Sequence, residues 1–289
     1  MINRLMKYAG DKALKTDLAR LDLKYLPEEI TEIKDVSYLA DEDPGHMLDI
    51  YVRKDGEKKP VLIDIHGGGF ISEDKAMNRL FGSYMALQGF AVFELNFRLA
   101  YPDVTVFDQI EDISKAVSFV LENADQYEAD REQLYIAGHS SGGVLALTEC
   151  LLSLDRKMRE DFGIEDRNYV YKGLITDCGL MHYYKNSIAY RGMRKMIFPK
   201  GYKSDKRYSY LVFEENGQIS RLPKTALITN RKDVLRKMTY KFEEILGKNG
   251  VEHQLFDGGA DGHTGIIFVP YKDENQETLK KITEYLMDK

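Results

Sequence analysis

Gly138-His139-Ser140-Ser141-Gly142 follows the apolar run Leu134–Ala137 and matches the pattern GxSxG. Glycines on both sides of a serine permit a strained turn between a strand and a helix, with the hydroxyl group projecting above the sheet. A second stretch, His66-Gly67-Gly68-Gly69, follows another apolar run, Val61–Ile65. A glycine run lets backbone N–H groups approach a substrate oxygen closely, because no side chain is in the way. Together the two stretches predict an acyl-transfer site.

Short apolar runs recur along the chain and predict the buried strands of a parallel sheet. They are Val61–Ile65, Ala91–Leu95, Leu134–Ala137, Gly173–Thr176, Thr225–Thr229 and His253–Phe256, after two earlier strands at Glu32–Leu39 and Met47–Arg53. Segments with helical spacing of apolar residues lie between them, as at 110–121 and 235–246, and another follows at 279–286. This alternation predicts an α/β fold with a mostly parallel central sheet and helices on both faces.

No stretch has the composition of a linker, so we expect a single domain over residues 1–289. Two segments stand outside the alternation of strands and helices. Residues 1–28 show helical spacing of apolar side chains from Leu5 to Leu18, which predicts an N-terminal helical extension. Residues 179–222 are irregular and rich in tyrosine and basic residues. We expect a lid-like insertion there, with tyrosines lining a pocket over the serine.

A nucleophilic serine needs an imidazole to accept its proton and a carboxylate to orient that imidazole. The GxSxG turn resembles the nucleophile turn of the α/β-hydrolase fold, and this resemblance implies that the partners follow the serine in the order acid, histidine, each on a loop at the carboxyl end of a strand. His263 follows the last predicted strand, and Asp233 follows the strand Thr225–Thr229. Asp257 and Asp261 are rival acids, and Asp233 could instead cap the next helix.

These motifs resemble the α/β-hydrolase-fold carboxylesterases of the hormone-sensitive-lipase-like branch. The stretch 66–69 is similar to that family's HGGG motif, 96–103 to its YRLAPE block, and 233–235 to its DPL motif. The chain departs from the family's GDSAGG elbow in having His139 before the serine. We expect this side chain to point away from the serine hydroxyl and either to pack or to support residues that contact the substrate. We expect Arg98 and Asp103 to form a structural ion pair or to brace the backbone.

The resemblance implies an α/β-hydrolase fold with a small lid insertion, and it implies a role for each residue of the site. The nucleophile would be Ser140, the acid Asp233 and the base His263, and the oxyanion would be held by the backbone N–H groups of Gly68, Gly69 and Ser141.

The expected function is that of a serine hydrolase that cleaves carboxylic esters of small acyl groups through an acyl-enzyme. A triad activates acyl carbonyl groups in general, so a sugar O-acetyl or feruloyl esterase, a formamidase and a peptidase stay open as alternatives. A different class also stays open, namely a non-catalytic ligand-binding protein on the hydrolase fold.

The composition limits the expected partners and compartment. The chain has 41 Lys and Arg against 47 Asp and Glu, a net charge of −6, so we expect neither nucleic acid nor a membrane as a partner. Cys150 and Cys178 are expected to be buried free thiols; with no apparent signal peptide or transmembrane stretch, this favours the cytoplasm. Metal-ligand, Walker and dinucleotide motifs are missing, so we expect no cofactor and no metal. The expected partner is a small-molecule ester, and an oligomer is possible.

Overall fold

A computed structural model describes residues 12, 14–165, 168–185, 187–259 and 261–288. Within these residues, eight strands form one sheet in the order β1-β2-β4-β3-β5-β6-β7-β8. The strands are β1 (Thr31–Ser37), β2 (Met47–Val52), β3 (Lys59–Ile65), β4 (Ala91–Leu95), β5 (Ala129–His139), β6 (Gly173–Asp177), β7 (Lys224–Thr229) and β8 (His253–Asp257). Strand β2 runs antiparallel to both of its neighbours, and the pairings from β4 through β8 are parallel. The carboxyl ends of β3 and β5 to β8 therefore meet at one edge.

Helices cover both faces of this sheet. The helices that lie wholly within the described residues are α1 (Arg79–Leu87), α2 (Val106–Asn123), α3 (Ser141–Leu154), α4 (Arg156–Phe162), α5 (Ile188–Ile197), α6 (Lys206–Tyr210), α7 (Arg236–Lys248), α8 (Gly265–Phe268) and α9 (Asp273–Met287). Helices α1, α8 and α9 pack in one apolar cluster, and α2, α3 and α7 pack in the other. Alternate residues of β7 serve the two clusters, Ala226 and Ile228 one and Leu227 the other, as the period of a strand requires. None of these helices has both the length and the apolar composition to span a bilayer.

The predicted strands coincide closely with the observed ones. The bounds Ala91–Leu95 are the same in both, whereas β5 starts five residues before the predicted Leu134. The added residues of β5 include exposed polar side chains, and its first two residues pair in register with Lys59 and Pro60. Backbone pairing at the end of a sheet needs no apolar side chain, so the hydrophobic pattern could not reveal this extension.

The N-terminal extension and the insertion were predicted as separate segments. Residues 14–18 are helical, and Leu14 and Leu18 pack against the cluster around α1 and α9; Leu5 and Ala9 lie outside the described residues. The segment 179–222 contains α5 and α6, and it contributes buried aromatic side chains such as Tyr183 and Phe198 to the cluster around α2 and α3.

Candidate active site

Ser140 lies at the tip of the turn between β5 and α3. Its backbone has φ +53° and ψ −114°, a conformation that residues with side chains rarely adopt and that the surroundings must hold in place. A Cβ atom at Gly138 would overlap the carbonyl oxygen of Gly142, and a Cβ atom at Gly142 would overlap that of Ile65. The Ser140 amide donates to the Asp177 carbonyl oxygen over 2.8 Å. The glycines of GxSxG therefore permit backbone contacts that fix the serine in this strained position.

A chain of hydrogen bonds joins Ser140, His263 and Asp233. The Ser140 hydroxyl lies 2.9 Å from His263 Nε2, and His263 Nδ1 lies 2.7 Å from Asp233 Oδ1. The carboxylate also accepts from the Leu235 amide and the Thr229 hydroxyl, both over 2.8 Å. Burial disfavours ionisation of Asp233, but the hydrogen bonds from His263, Leu235 and Thr229 outweigh it and hold the pKa of the carboxyl below its usual range. The carboxylate is thus kept charged where it can orient an imidazole.

The two rival acids lie in other interactions. Asp257 pairs with Arg236 and accepts from the Tyr240 hydroxyl, and Asp261 pairs with Lys272. Asp233 also makes a contact of the kind expected if it caps the next helix. Its Oδ1 accepts a hydrogen bond from the Leu235 amide, directly before α7. One carboxylate therefore anchors the start of that helix and contacts the imidazole.

The glycine loop, defined as residues 67–69, follows β3 and lies beside the serine turn. Gly68 and Gly69 have φ +86° and +61°, and a Cβ atom at Gly68 would overlap the Ser72 carbonyl oxygen. The Phe70 amide donates to the Ser141 hydroxyl over 3.1 Å and so ties the loop to the first residue of α3. Within the described chain, the amides of Gly68, Gly69 and Ser141 have no protein acceptor, and that of Ser141 is free because it begins a helix.

Buried side chains support the glycine loop from behind. The His66 ring stacks on Phe97, with ring centroids 4.4 Å apart and planes 11° from parallel. Burial lowers the pKa of His66 to about 4, so this imidazole is neutral at pH 7. Gln109 donates to the carbonyl oxygens of Phe70 and Arg98, each over 2.8 Å. Phe97 lies at the position of the tyrosine in the YRLAPE block of the family that the sequence resembles. Its ring provides the surface on which His66 stacks.

Arg98 forms its ion pair with Asp112 of α2. The guanidinium group contacts both carboxylate oxygens, at 2.6 and 2.8 Å, and the Arg98 amide donates to the same carboxylate. Arg98 thus pairs with Asp112 and not with Asp103, which is exposed, so the ion-pair form of the prediction named the wrong partner. The observed partner, Asp112, lies 14 residues away and approaches Arg98 only when α2 packs against the loop.

His139 points away from the serine hydroxyl and lies between two buried aspartates. Its Nδ1 is 2.9 Å from Asp177 of β6, and its Nε2 is 3.1 Å from Asp64 of β3. Carboxylates only accept hydrogen bonds, so both ring nitrogens must donate and the ring is an imidazolium. Burial opposes this charge, but the two carboxylates outweigh it and raise the pKa of His139 to about 10. The side chain expected to pack is thus a buried cation that links three adjacent strands.

Comparisons with known proteins match this chain over part of its length in some cases and over most of it in others. Residues 48–176 match the BD-FAE family model. The chain is 26% identical over 265 residues to the probable isoprenylcysteine alpha-carbonyl methylesterase ICMEL1 of Oryza sativa subsp. japonica, covering 85% of this chain and 61% of that protein. It thus spans about three-fifths of the length of that relative. It is 32% identical to Esterase LipC of Mycobacterium tuberculosis over 120 residues, which are 40% of this chain and 30% of that protein.

The crystal structure of esterase B from Lactobacillus rhamnosis aligns with 99% of this chain and 94% of its own, with a TM-score of 0.87 and 22% sequence identity. This chain has the α/β-hydrolase fold. The predicted fold is thereby confirmed.

A cavity of about 280 Å³ opens beside Ser140. It is lined by Gly67, Gly68, Gly69, Ser72, Glu73, His139, Ser140, His263, Thr264 and Ile267. Sequence reasoning did not identify Ser72, Glu73, Thr264 or Ile267. A charged residue four positions after a glycine loop was the available signal for Glu73, because such a loop brings its following residues to the same edge of the sheet.

The tyrosines of the insertion do not line this cavity. Three of them surround Phe198 instead, with ring centroids at 6.2 Å for Tyr183, 4.9 Å for Tyr202 and 5.2 Å for Tyr208. Tyr183 also contacts the ring of Phe70, at 5.7 Å between centroids. The insertion of this hydrolase fold therefore reaches the glycine loop through an aromatic cluster that packs behind Phe70.

Among the described residues, three potential metal ligands lie near one another at the site, namely Cys178, Asp233 and His263. The Asp233 and His263 atoms are already engaged with each other, and Cys178 Sγ accepts from the Thr264 amide over 3.3 Å. Burial raises the pKa of the Cys178 thiol, which opposes the thiolate that a metal would need. This donor set therefore fits a hydrogen-bonded triad and a buried thiol better than a metal site.

Proposed function

We propose that this α/β-hydrolase is a serine esterase that cleaves carboxylic esters of small acyl groups through an acyl-enzyme. The observation that carries the proposal is the hydrogen-bonded chain from the Ser140 hydroxyl through His263 to Asp233. The esterases to which the chain is similar support the reaction class. The proposal specifies the size of the acyl group and the ester bond that is cleaved.

In the first half-reaction, His263 Nε2 accepts the hydroxyl proton as Ser140 Oγ attacks the carbonyl carbon of the ester. The carbonyl electron pair moves onto the oxygen, and the amides of Gly68, Gly69 and Ser141 would stabilise this oxyanion. When the intermediate collapses, the bond to the alcohol oxygen breaks and His263 gives its proton to that oxygen. The acyl group remains on Ser140.

In the second half-reaction, a water molecule takes the place of the alcohol. His263 accepts a proton from this water, the resulting hydroxide attacks the acyl carbon, and collapse of the second intermediate returns the electron pair and the proton to Ser140. Asp233 stabilises the imidazolium in both halves and keeps Nε2 turned towards the serine.

A non-catalytic ligand-binding role on the same fold is the alternative from a different class. It does not require a strained serine or a histidine that contacts it, whereas this chain has both. Strain of this kind destabilises the folded protein, by about 1–3 kcal/mol for a residue in a sparsely populated region. These features favour the enzyme over the binding protein.

The compartment belongs to the same proposal. Cys150 and Cys178 are free and buried, as the sequence led us to expect, and unpaired thiols suit a reducing compartment. We infer the cytoplasm on this ground.

The test is covalent labelling with a fluorophosphonate, followed by turnover of p-nitrophenyl acetate. Wild-type protein should be labelled on Ser140, and Ser140→Ala should be neither labelled nor active. Ser204→Ala, which changes an exposed serine of the insertion, is the control, in which labelling of Ser140 should persist. Folded wild-type protein that is not labelled and does not hydrolyse the aryl acetate contradicts the proposal.

A further inference from the structure

Glu73 is a carboxyl group that faces the cavity and that the proposed reaction does not use. It lines the same cavity as Ser140 and His263. Its backbone has φ +75°, a region where residues with side chains are strained. Its Oε2 lies 3.2 Å from the place that a Cβ atom on Gly67 would occupy. A strained backbone thus holds this carboxyl group against the glycine loop.

The charged side chains that most affect the Glu73 carboxyl group are Asp17, His139 and His263. Within the part of the chain that the structure describes, no lysine or arginine side chain is among these largest influences. Burial and the nearby Asp17 carboxylate raise the pKa of Glu73 to about 7, although His139, His263 and the Gly67 amide act in the opposite direction. A partly buried carboxyl group that accepts from a backbone amide and is not paired with a lysine or arginine is costly for stability, and perturbed groups of this kind cluster at functional sites.

Two further side chains that line the cavity, Ser72 and Thr264, also offer acceptors. The Ser72 hydroxyl donates its proton to the Gly68 carbonyl oxygen, and the Thr264 hydroxyl donates to the His263 carbonyl oxygen, each over 2.8 Å. Their oxygen lone pairs remain, but their protons are used. A ligand that complements this wall must therefore bring its own hydrogen-bond donors.

The position of the cavity assigns it to the alcohol part of the ester. In the proposed function, on which this inference rests, His263 gives its proton to the leaving alcohol oxygen, so the alcohol must lie within hydrogen-bond reach of Nε2. Thr264 and Ile267 follow His263 in the chain and line the cavity together with Glu73. The alcohol therefore lies between the residues after His263 and the Glu73 carboxyl group.

We propose that Glu73 accepts a hydrogen bond from a hydroxyl group on the alcohol part of the substrate, and that the enzyme thereby selects esters of hydroxylated alcohols over alkyl esters of equal size. A carboxyl oxygen can accept from a hydroxyl group, and the bond is stronger when the carboxyl group is ionised. Glu73 is thus a specificity-determining residue for the esterase.

The test compares two butyrate esters of equal heavy-atom count and branching, 2,3-dihydroxypropyl butyrate and 2-methylbutyl butyrate. The quantity measured is the ratio of kcat/KM for the first ester to that for the second, by titration of the released acid. In Glu73→Met the ratio should fall about tenfold or more relative to wild type, because a hydrogen bond to a charged group is lost. In Glu73→Gln it should fall less, since the amide oxygen still accepts. Glu132→Gln, which changes an exposed acid of β5, is the control and should keep the wild-type ratio.

The pH dependence of the same ratio separates Glu73 from His263. Any effect of pH on a catalytic step that both esters share cancels in the ratio. The wild-type ratio should rise between pH 6 and pH 8 as Glu73 ionises, and this rise should be missing in Glu73→Gln. The same pH profile in both proteins overturns the proposal.

Three further outcomes overturn the proposal. Equal losses for both esters in Glu73→Met would mean that Glu73 only supports the glycine loop. An unchanged ratio would mean that no hydroxyl group contacts it. A larger loss for 2-(trimethylammonio)ethyl butyrate, which has a positive charge and no donor, would mean that Glu73 recognises a cation. Hydrolysis of p-nitrophenyl acetate by the wild type shows in each case that the proposed esterase itself stands.

Discussion

His139 and His263 both contact aspartate side chains at the same edge of the sheet, yet their surroundings differ. The His139 side chain is 1% exposed and lies between two carboxylates. The His263 side chain is 30% exposed and lies between one carboxylate and the Ser140 hydroxyl. One imidazole is enclosed by acceptors on both nitrogens, and the other has a group that can give it a proton.

From this difference we expect His139 to support the structure and His263 to transfer protons. An imidazole with two carboxylate partners holds its proton across the whole neutral range, so it can only link the strands that carry those partners. An imidazole with one carboxylate and one hydroxyl partner can accept a proton and return it. The sequence position next to the nucleophile therefore matters less than the number of carboxylates in contact.

The largest expected effect distinguishes the two histidines by activity. His263→Gln should lower kcat on an aryl acetate by about 10⁴- to 10⁶-fold, because no group remains to accept the serine proton. His139→Gln should lower kcat of the folded protein far less, since the triad stays complete. The measurement is kcat at saturating ester, with circular dichroism to establish that each variant is folded. Similar losses in both variants would break the comparison.

Substitutions of the aspartates that contact the two histidines should also differ in their effect on kcat. Asp233→Asn should lower kcat by about 10⁴-fold, because an amide in place of the carboxylate favours the wrong tautomer of His263. Asp177→Asn leaves His139 with Asp64 and should change kcat by less than about tenfold. The two substitutions are isosteric and alter equivalent hydrogen bonds, at 2.7 and 2.9 Å, so each is the control for the other. A deficit of the same size in both would mean that the His139 network takes part in the chemistry.

Sequence patterns sufficed for the sheet and for the chain order of the site residues. The apolar run 91–95 is β4, and the order serine, acid, histidine led to three side chains that the fold brings together. The strand prediction is confirmed because buried strands need apolar runs. The three side chains lie together because loops at the carboxyl ends of parallel strands meet at one edge.

Contacts between separate strands and helices could not be predicted in this way. Asp64 and Asp177 meet His139 only because β3, β5 and β6 are neighbours, and Asp112 meets Arg98 only after α2 packs. A carboxylate within an apolar strand, as in Val61–Ile65, was nonetheless a signal, because an unpaired buried charge is costly and implies a partner. The identity of that partner depends on the strand order, which no local pattern specifies.

The third prediction tests the structural role of His139 through stability. His139→Gln should lower the free energy of unfolding by about 3–5 kcal/mol, since it removes the cation between two buried carboxylates. The quantity is measured by urea denaturation at pH 7. The double variant His139→Gln/Asp64→Asn should recover part of this loss, because one uncompensated carboxylate is removed with the cation. If the single variant were as stable as the wild type, His139 would not bear a charge in the folded protein.

The smallest expected effect is the pH dependence of the difference in the free energy of unfolding between wild type and His139→Gln. The pKa of His139 is raised from its ordinary 6.5 to about 10, so the folded state binds a proton that the unfolded chain releases above pH 6.5. The stability advantage of wild type over His139→Gln should be complete below pH 6.5 and should fall by at most about 1.4 kcal/mol per pH unit above it. It should vanish as the pH passes 10. Lysines and tyrosines that titrate near pH 10 are common to both proteins and cancel in the difference. An advantage that grows between pH 7 and pH 10 would show that the ring is neutral when folded, and the two histidines would then differ in exposure alone.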